Sequence, residues 1–285
     1  MNRKLWTAQE LINLSTDYLQ KYNCLTPRLD AEVLLAHVLD TDRLHLYMNL
    51  DYPLEKIELD MYRRLIGQRG QRIPVAYLIG YKEFYTKEFI VSRDVIVPRP
   101  ETEILVDQAV KTAQNFQSPR ILELGTGSGI IAISIALSVP QSWVLAVDIS
   151  DAALEIAAKN ADRLAVVDQL SFLKSDMFSR ISSQKFDIIC SNPPYISTNE
   201  LDNLDKEIQF EPRTALDGGE DGLKYHRVLI NNSPDYLISG GSLIIEIGFD
   251  QAEQVVELGK ERGFSYDKTV QDYAGKDRVV IFKWK

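Results

Sequence analysis

Residues 120–148 read RILELGTGSGIIAISIALSVPQSWVLAVD, and this stretch decides the fold. Arg120 to Gly125 is a short, nearly continuous apolar run, as expected of a strand buried on both faces. Gly125, Gly127 and Gly129 alternate with Thr126 and Ser128, and an apolar helix is expected from Gly129 to Val139. Glycines at such a bend let the chain turn sharply and let a ligand approach the main chain, while the helix start offers free N–H groups. A second buried strand, Ser142 to Ile149, carries Asp148 near its end, twenty-three residues beyond Gly125. A carboxylate there can accept both hydroxyl hydrogens of a ribose. The unit predicts a nucleoside-containing ligand at the carboxyl edge of a parallel sheet.

Outward from this unit the alternation continues to the C-terminus. Strands are expected at Leu170–Lys174, Phe186–Ser191 and Ser242–Gly248, with helices at Asp151–Leu164, Gly222–Ile238 and Gln251–Arg262. The tail FSYDKTVQDYAGKDRVVIFKW supplies two more strands around a glycine-containing turn and should end the sheet antiparallel. This is an α/β, Rossmann-like domain with a seven-stranded, mostly parallel sheet. Upstream, PVAYLIGYKEFYTKEFIVSRDVIVP alternates in polarity and is rich in β-branched and aromatic residues, which suggests a hairpin. Its aromatic residues, Tyr81, Phe84, Tyr85 and Phe89, read as packing groups.

The first 70 or so residues read as helices only. Thr7 with Glu10 makes a capping box ahead of a helix whose Leu11, Leu14, Tyr18 and Tyr22 fall on one face. Thr26-Pro27 opens a second helix with Leu29, Val33, Leu34 and Val38 toward a core. Asp42 can cap a third, and Pro53 to Gly67 reads as a fourth. The expected organisation is a helical region at 1–73, a hairpin linker at 74–99, and the α/β domain at 100–285.

The most diagnostic segment follows the fourth strand: Asn192-Pro193-Pro194-Tyr195. Two consecutive prolines fix φ and cannot extend a strand ladder, so the chain leaves the sheet in a rigid extended form. The Asn192 side chain and the Pro193 carbonyl are thereby held at a fixed separation. Two fixed acceptors match the two hydrogens of an –NH2 group on a planar system. Such a nitrogen is a poor nucleophile, and holding both hydrogens aims it and stabilises the positive charge that grows on it. Tyr195 would pack over the flat face of the group. No strong general base is required. The three histidines, His37, His45 and His226, are scattered and make neither a triad nor a histidine metal site.

Composition narrows the classes further. The net charge is −9, with ten Lys/Arg and ten Asp/Glu in residues 1–80 and 22 against 31 in the rest. An acidic α/β half repels phosphate backbones, so direct nucleic-acid binding is not expected. The basic run Arg63, Arg64, Arg69 and Arg72 can touch a partner but reads first as a solvated helix face. Cys24 and Cys190 suggest neither a disulfide nor a metal site and read as small apolar residues. No apolar run reaches the roughly 18 residues needed to span a bilayer, and the N-terminus lacks a signal-peptide core, so a cytoplasmic protein is expected.

The glycine loop is spaced G-x-G-x-G, not G-x-G-x-x-G, which disfavours a dinucleotide. S-adenosylmethionine (AdoMet) carries no phosphate, and its positive sulfonium favours a nearby carboxylate such as Glu123. Taken with the NPPY segment, the sequence resembles the HemK-type (PrmC) protein-glutamine methyltransferases along essentially its whole length. Besides Asn192–Tyr195, the resemblance rests on Pro98-Arg99-Pro100-Glu101-Thr102-Glu103 and on EPRTAL followed by DGGEDGL, residues 211–223. It implies that Gly125, Thr126, Gly127, Ser128 and Gly129 wrap the methionine end of AdoMet. Asp148 would hold the ribose, and Met177, after Asp176, would lie against the adenine. Asn192, Pro193, Pro194 and Tyr195 would grip the glutamine amide of a Gly-Gly-Gln tripeptide in class I peptide chain release factors, leaving S-adenosylhomocysteine. It further implies that the helical domain recognises other parts of the release factor. Three other classes stay open at this point: methylation of an exocyclic amino group in DNA or rRNA, which NPPY suits equally; a nicotinamide-dependent oxidoreductase, for which NPPY has no task; and a non-catalytic binding module, against which both motifs are intact.

Overall fold

The computed structural model describes residues 6–285. The first five residues of the expected helical region lie outside them. By compactness the chain divides into two units: residues 1–81 with Asp205–Phe210, and residues 82–204 with 211–285.

The first unit is helical, with α1 (Ala8–Lys21), α2 (Pro27–Val38), α3 (Arg43–Met48), α4 (Lys56–Gly70) and α5 (Val75–Ile79). Its start signals work as expected. Thr7 and Glu10 form the capping box on α1, and Asp42 accepts the His45 N–H at 2.7 Å at the start of α3. The expected faces are rotated. On α1 the buried residues are Ala8, Leu11, Ile12, Ser15 and Leu19, while Leu14, Tyr18 and Tyr22 are exposed. On α2, Leu34 is buried with Ala31 and Leu35, and Leu29 is exposed. Two apolar stripes compete on each helix, and the tighter core takes the one with smaller side chains, which lets helices approach closely.

The basic run also resolves differently from a solvated face. Arg63 and Arg64 are exposed, but Arg69 and Arg72 are buried. Arg69 donates to Asp30 at 2.7 Å, to the Ile73 carbonyl at 3.1 Å and to Glu207 at 2.7 Å; Arg72 donates to Asp205 at 2.6 Å and to Glu207 at 3.0 Å. Buried guanidinium groups need such partners, because an unpaired buried charge is strongly destabilising. Four of those donations knit Asp205–Phe210 or the start of α2 into this unit.

A hairpin follows, β1 (Tyr81–Phe84) and β2 (Lys87–Ile90), which apart from Tyr81 belongs to the second unit. The hairpin expected over residues 74–98 is confined to these strands, because Pro74 starts the helical turn α5 and Gly80, at φ +84°, ends it. Phe84 and Phe89 enter the core, as packing groups should. After α6 (Thr102–Ala113) come β3 (Arg120–Leu124), α7 (Ile130–Ser138), β4 (Trp143–Asp148), α8 (Asp151–Arg163), β5 (Leu170–Lys174) and β6 (Phe186–Ser191). Then follow α9 (Lys224–Asn232), β7 (Leu237–Glu246), α10 (Ala252–Arg262), β8 (Ser265–Gln271) and β9 (Asp277–Lys283). The helix expected over Gly222–Ile238 is shorter, because Pro234 ends it in a 3-10 turn and Leu237 already belongs to β7.

The seven strands are ordered β5-β4-β3-β6-β7-β9-β8, with β9 antiparallel to both neighbours and the other pairings parallel. Apolar side chains on the two faces form two separate cores, which is why the central strands read as unbroken apolar runs. The chain leaves β3 for β4 on one side and returns to β6 on the other. Connections therefore diverge between β3 and β6, and a crevice opens at their carboxyl ends. Among the described residues no helix is long and apolar enough to cross a membrane.

One position gives a stability prediction opposite to helix propensity. Gly259 lies in α10, where alanine would ordinarily be favoured by ~1 kcal/mol. A Cβ there would enter the fully buried Phe282 ring. Overpacking of that kind costs roughly 1–3 kcal/mol and outweighs the propensity gain. Gly259→Ala should lower the melting temperature in calorimetry; a rise would contradict this packing.

Candidate active site

The crevice contains a cavity of about 270 Å³, lined among others by Gly125, Gly127, Asp148, Asp176, Met177, Asn192 and Pro194. Seven residues singled out from the sequence thus converge from four loops, after β3, β4, β5 and β6.

The loop after β3 is held from beneath. Gly125 and Thr126 donate their N–H groups to the Val147 carbonyl at 2.8 and 2.9 Å. Gly125, Gly127 and Gly129 have φ of +77°, +56° and +83°, a conformation that disfavours side chains. Nothing lies within 4 Å of where a Gly127 Cβ would project, so the backbone there faces open space. Glu123, expected beside the sulfonium, is instead fully buried and does not line the cavity. Its Oε2 accepts the Thr126 hydroxyl at 2.7 Å and the Ala132 N–H at 3.0 Å, and burial pushes its pKa up to about 7. Thr126 and Ser128 are buried too, and Gly129 caps α7. These residues shape the loop without reaching the cavity surface.

Asp148 ends β4 with its carboxylate fixed by two main-chain donors: Gly127 N–H to Oδ2 at 2.8 Å and Ser150 N–H to Oδ1 at 2.9 Å. Each oxygen keeps a lone pair for another donor. Met177 lines the cavity with its backbone at φ +46°, and its carbonyl accepts the Ser175 hydroxyl at 2.9 Å.

The NPPY segment leaves the sheet from β6. Ser191 donates its hydroxyl to the Leu124 carbonyl at 2.7 Å, which ties the ends of β6 and β3 together. Asn192 donates through Nδ2 to Thr102 Oγ1 at 3.2 Å, and among the described residues its Oδ1 accepts from no donor. Pro193 is buried, whereas Pro194 lines the cavity. Tyr195 stands outside the lining, half-buried, with its carbonyl held by Gln251 Nε2 at 3.0 Å. Burial and the nearby Glu246 push its phenol pKa up.

The other two signature segments have structural tasks around this one. In PRPETE, Arg99 pairs with Glu211 at 2.6 Å, Thr102 receives Asn192, and Glu103 accepts the Tyr85 N–H at 2.9 Å. In DGGEDG, a Cβ on Gly218 would sit 2.8 Å from Tyr195 Cα, and one on Gly222 2.5 Å from the Tyr195 carbonyl. Glycine is required at both, because the Tyr195 main chain runs directly over them. Pro212, Thr214 and Ala215 of EPRTAL complete one wall of the cavity.

Sequence reasoning missed the wall formed by Arg93, Asp94, Val95 and Ile96, which read as the end of a strand. It also missed Ser150, Tyr225, Thr102 and Glu246. Ser150 carried a usable signal, since it caps α8 by accepting the Ala153 N–H at 3.2 Å. Thr102 stood inside the PRPETE signature without a role of its own, and Tyr225 and Glu246 carried no signal.

A glycine loop after the first strand of this sheet, an acid at the end of the second and NPPY at the end of the fourth define a Rossmann-like methyltransferase, a class that generally uses AdoMet. The comparisons agree: residues 10–80 match the PrmC N-terminal domain and residues 100–221 the methyltransferase small domain. The release factor glutamine methyltransferase of Rhodopirellula baltica is 42% identical over 96% of this chain and 95% of its own. That of Geobacter sulfurreducens is 38% identical over 97% and 96%. The chain belongs to the release factor glutamine methyltransferase family. The ribosomal protein L11 methylase of Lactobacillus delbrueckii subsp. bulgaricus shares the fold, with a TM-score of 0.50 at 20% identity over 72% of this chain and 89% of that one.

Proposed function

We propose that this protein transfers a methyl group from AdoMet to the side-chain amide nitrogen of the glutamine in the Gly-Gly-Gln motif of class I peptide chain release factors. The observation that carries the reading is the state of the Asn192 amide. Its Nδ2 is committed to Thr102, so the acceptor end, Oδ1, is left to the cavity. A carboxamide –NH2 presents two hydrogens. Oδ1 of Asn192 accepts one and the Pro193 carbonyl the other.

The cavity suits AdoMet on three counts. Its floor at Gly125 and Gly127 is bare main chain, Asp148 offers a fixed carboxylate for ribose hydroxyls, and Met177 offers a thioether to an adenine face. Bound there, AdoMet supplies an electrophilic methyl on a sulfonium. Asn192 and Pro193 then do the protein's work. They aim the amide nitrogen along the line of displacement and stabilise the positive charge that develops on it. The amide proton becomes acidic as the new bond forms, so a water molecule suffices to remove it. Glu123 serves by holding the loop.

Incubation with labelled AdoMet and a purified release factor, followed by peptide mapping, tests the reading. Label on the Gly-Gly-Gln glutamine is expected. Label on DNA or rRNA with none on the release factor would overturn it.

A further inference from the structure

The sheet register sets a carboxyl group directly behind Asn192. Ser191 of β6 pairs with Ile245 of β7, so the next residues along each strand, Asn192 and Glu246, are neighbours at the carboxyl edge. Thr102, the first residue of α6, is buried against both. Its hydroxyl takes the Asn192 Nδ2 hydrogen at 3.2 Å, and the Glu246 carboxyl faces the same hydroxyl and the same amide. Glu246 is 2% exposed, and its Oε2 has no hydrogen-bond partner among the described residues.

We propose that Thr102 and Glu246 are positioning residues that fix the direction of the Asn192 amide, so that Oδ1 and not Nδ2 faces the acceptor nitrogen. This rests on the function proposed above. The two ends of a carboxamide are nearly equal in size, so packing alone does not choose between them. A flipped Asn192 would turn its own –NH2 toward the substrate –NH2, donor against donor, and transfer would stall. Behind Asn192 the protein offers acceptors: the Thr102 oxygen and the Glu246 carboxylate. Thr102 can accept from Asn192 and donate its own hydrogen to Glu246, which gives the chain of hydrogen bonds a single direction. Stability does not explain the arrangement, since an apolar side chain at this place would avoid a buried carboxyl with an unpartnered oxygen.

The carboxylate form is the better acceptor, so the device is sensitive to pH. Burial pushes Glu246 up to about 7. The groups around it are Thr102 and Glu101 from α6, Asn192 and Tyr195 after β6, and Arg278 from β9, while His226 of α9 lies 3.2 Å from its main-chain carbonyl. Arg278 favours the charged form, and Glu101 and burial oppose it. Turnover should rise with pH through the region of 7.

The test compares the full-length protein with its Thr102→Val, Thr102→Ser, Glu246→Gln and Asn192→Ala variants. Transfer to a release factor is measured on both sides of pH 7, and AdoMet affinity by calorimetry. Thr102→Val should lose about tenfold in kcat, the size of one hydrogen bond, with AdoMet affinity unchanged, and Thr102→Ser should restore it. Glu246→Gln should lower kcat and flatten the rising limb. If Glu246→Gln does not fold, the Thr102 pair decides alone. Wild-type kcat in Thr102→Val, with Asn192→Ala inactive, overturns the positioning role. An active Asn192→Ala overturns the acceptor role of Asn192, and the positioning role with it, whereas a wild type that leaves the release factor unmethylated overturns the proposed function itself.

Discussion

Replacing Asn192 by alanine is expected to slow methyl transfer by roughly a hundred- to a thousandfold, the usual loss when one preorganised partner of a developing charge is removed. AdoMet affinity should stay close to wild type. The two effects separate because of where the side chain points. Asn192 follows the end of β6 and lines the cavity, and its Nδ2 is taken by Thr102. The residues proposed to hold the cofactor, Gly127 and Asp148, lie at other strand ends and keep their own hydrogen bonds when Asn192 is truncated. The loss should therefore appear in kcat more than in the AdoMet constant.

An Asn192→Asp variant sharpens the result. It is nearly isosteric and keeps an oxygen toward the substrate, but it removes the hydrogen that Thr102 accepts. It also sets a second carboxyl beside Glu246, and two carboxyls sharing one buried site cannot both ionise easily. Transfer by this variant should stay far below wild type at neutral pH. Rapid-quench turnover beside calorimetric titration of AdoMet checks both variants. If affinity for AdoMet falls as far as turnover does, Asn192 belongs to the cofactor site and not to the acceptor.

The parts of this enzyme that were legible in its sequence share one property: their signals are local. A strand buried on both faces is an apolar run whatever surrounds it, so β3, β4, β5 and β6 could be placed within a residue or two. Gly125–Gly129 and Asn192–Tyr195 are contiguous, and their chemistry follows from residues that are adjacent in the chain. What stayed hidden depends on register and crossing. Thr102 and Asn192 are 90 positions apart, and only the topology brings them together. Glu246 looked like one polar residue in a buried strand, and nothing in SLIIEIG says that its neighbour across the sheet is Asn192. The faces of α1 and α2 were misplaced for a related reason, since each helix carries two apolar stripes and the partner helix selects one. Glu123 was assigned to the cofactor because of its position before the loop. Its strand position points the side chain beneath the loop, against Thr126 and Ala132.

Removing the Asp148 carboxylate should weaken AdoMet binding by at least about 3 kcal/mol, on the order of a hundredfold, if two hydroxyl hydrogens of the ribose each lose a charged acceptor. The structure gives a reason to expect more than the loss of those two contacts. The same carboxylate holds the Gly127 N–H at 2.8 Å and the Ser150 N–H at 2.9 Å, so it braces both the glycine loop and the start of α8. Asp148→Ala frees both, and binding would then have to reorder a loop that the wild type holds ready. Asp148→Asn distinguishes the two contributions. It preserves shape and one acceptor oxygen, but its –NH2 must face the Gly127 or the Ser150 N–H, donor against donor. The asparagine variant should therefore bind nearly as poorly as the alanine variant, although it retains an oxygen that a ribose could use. At saturating AdoMet both should recover much of the wild-type kcat, because Asn192 and Pro193 are untouched. Calorimetric titration of the three proteins measures the affinities. Asp148→Asn binding like wild type would show that neither the charge nor the brace matters, and the ribose assignment would fall.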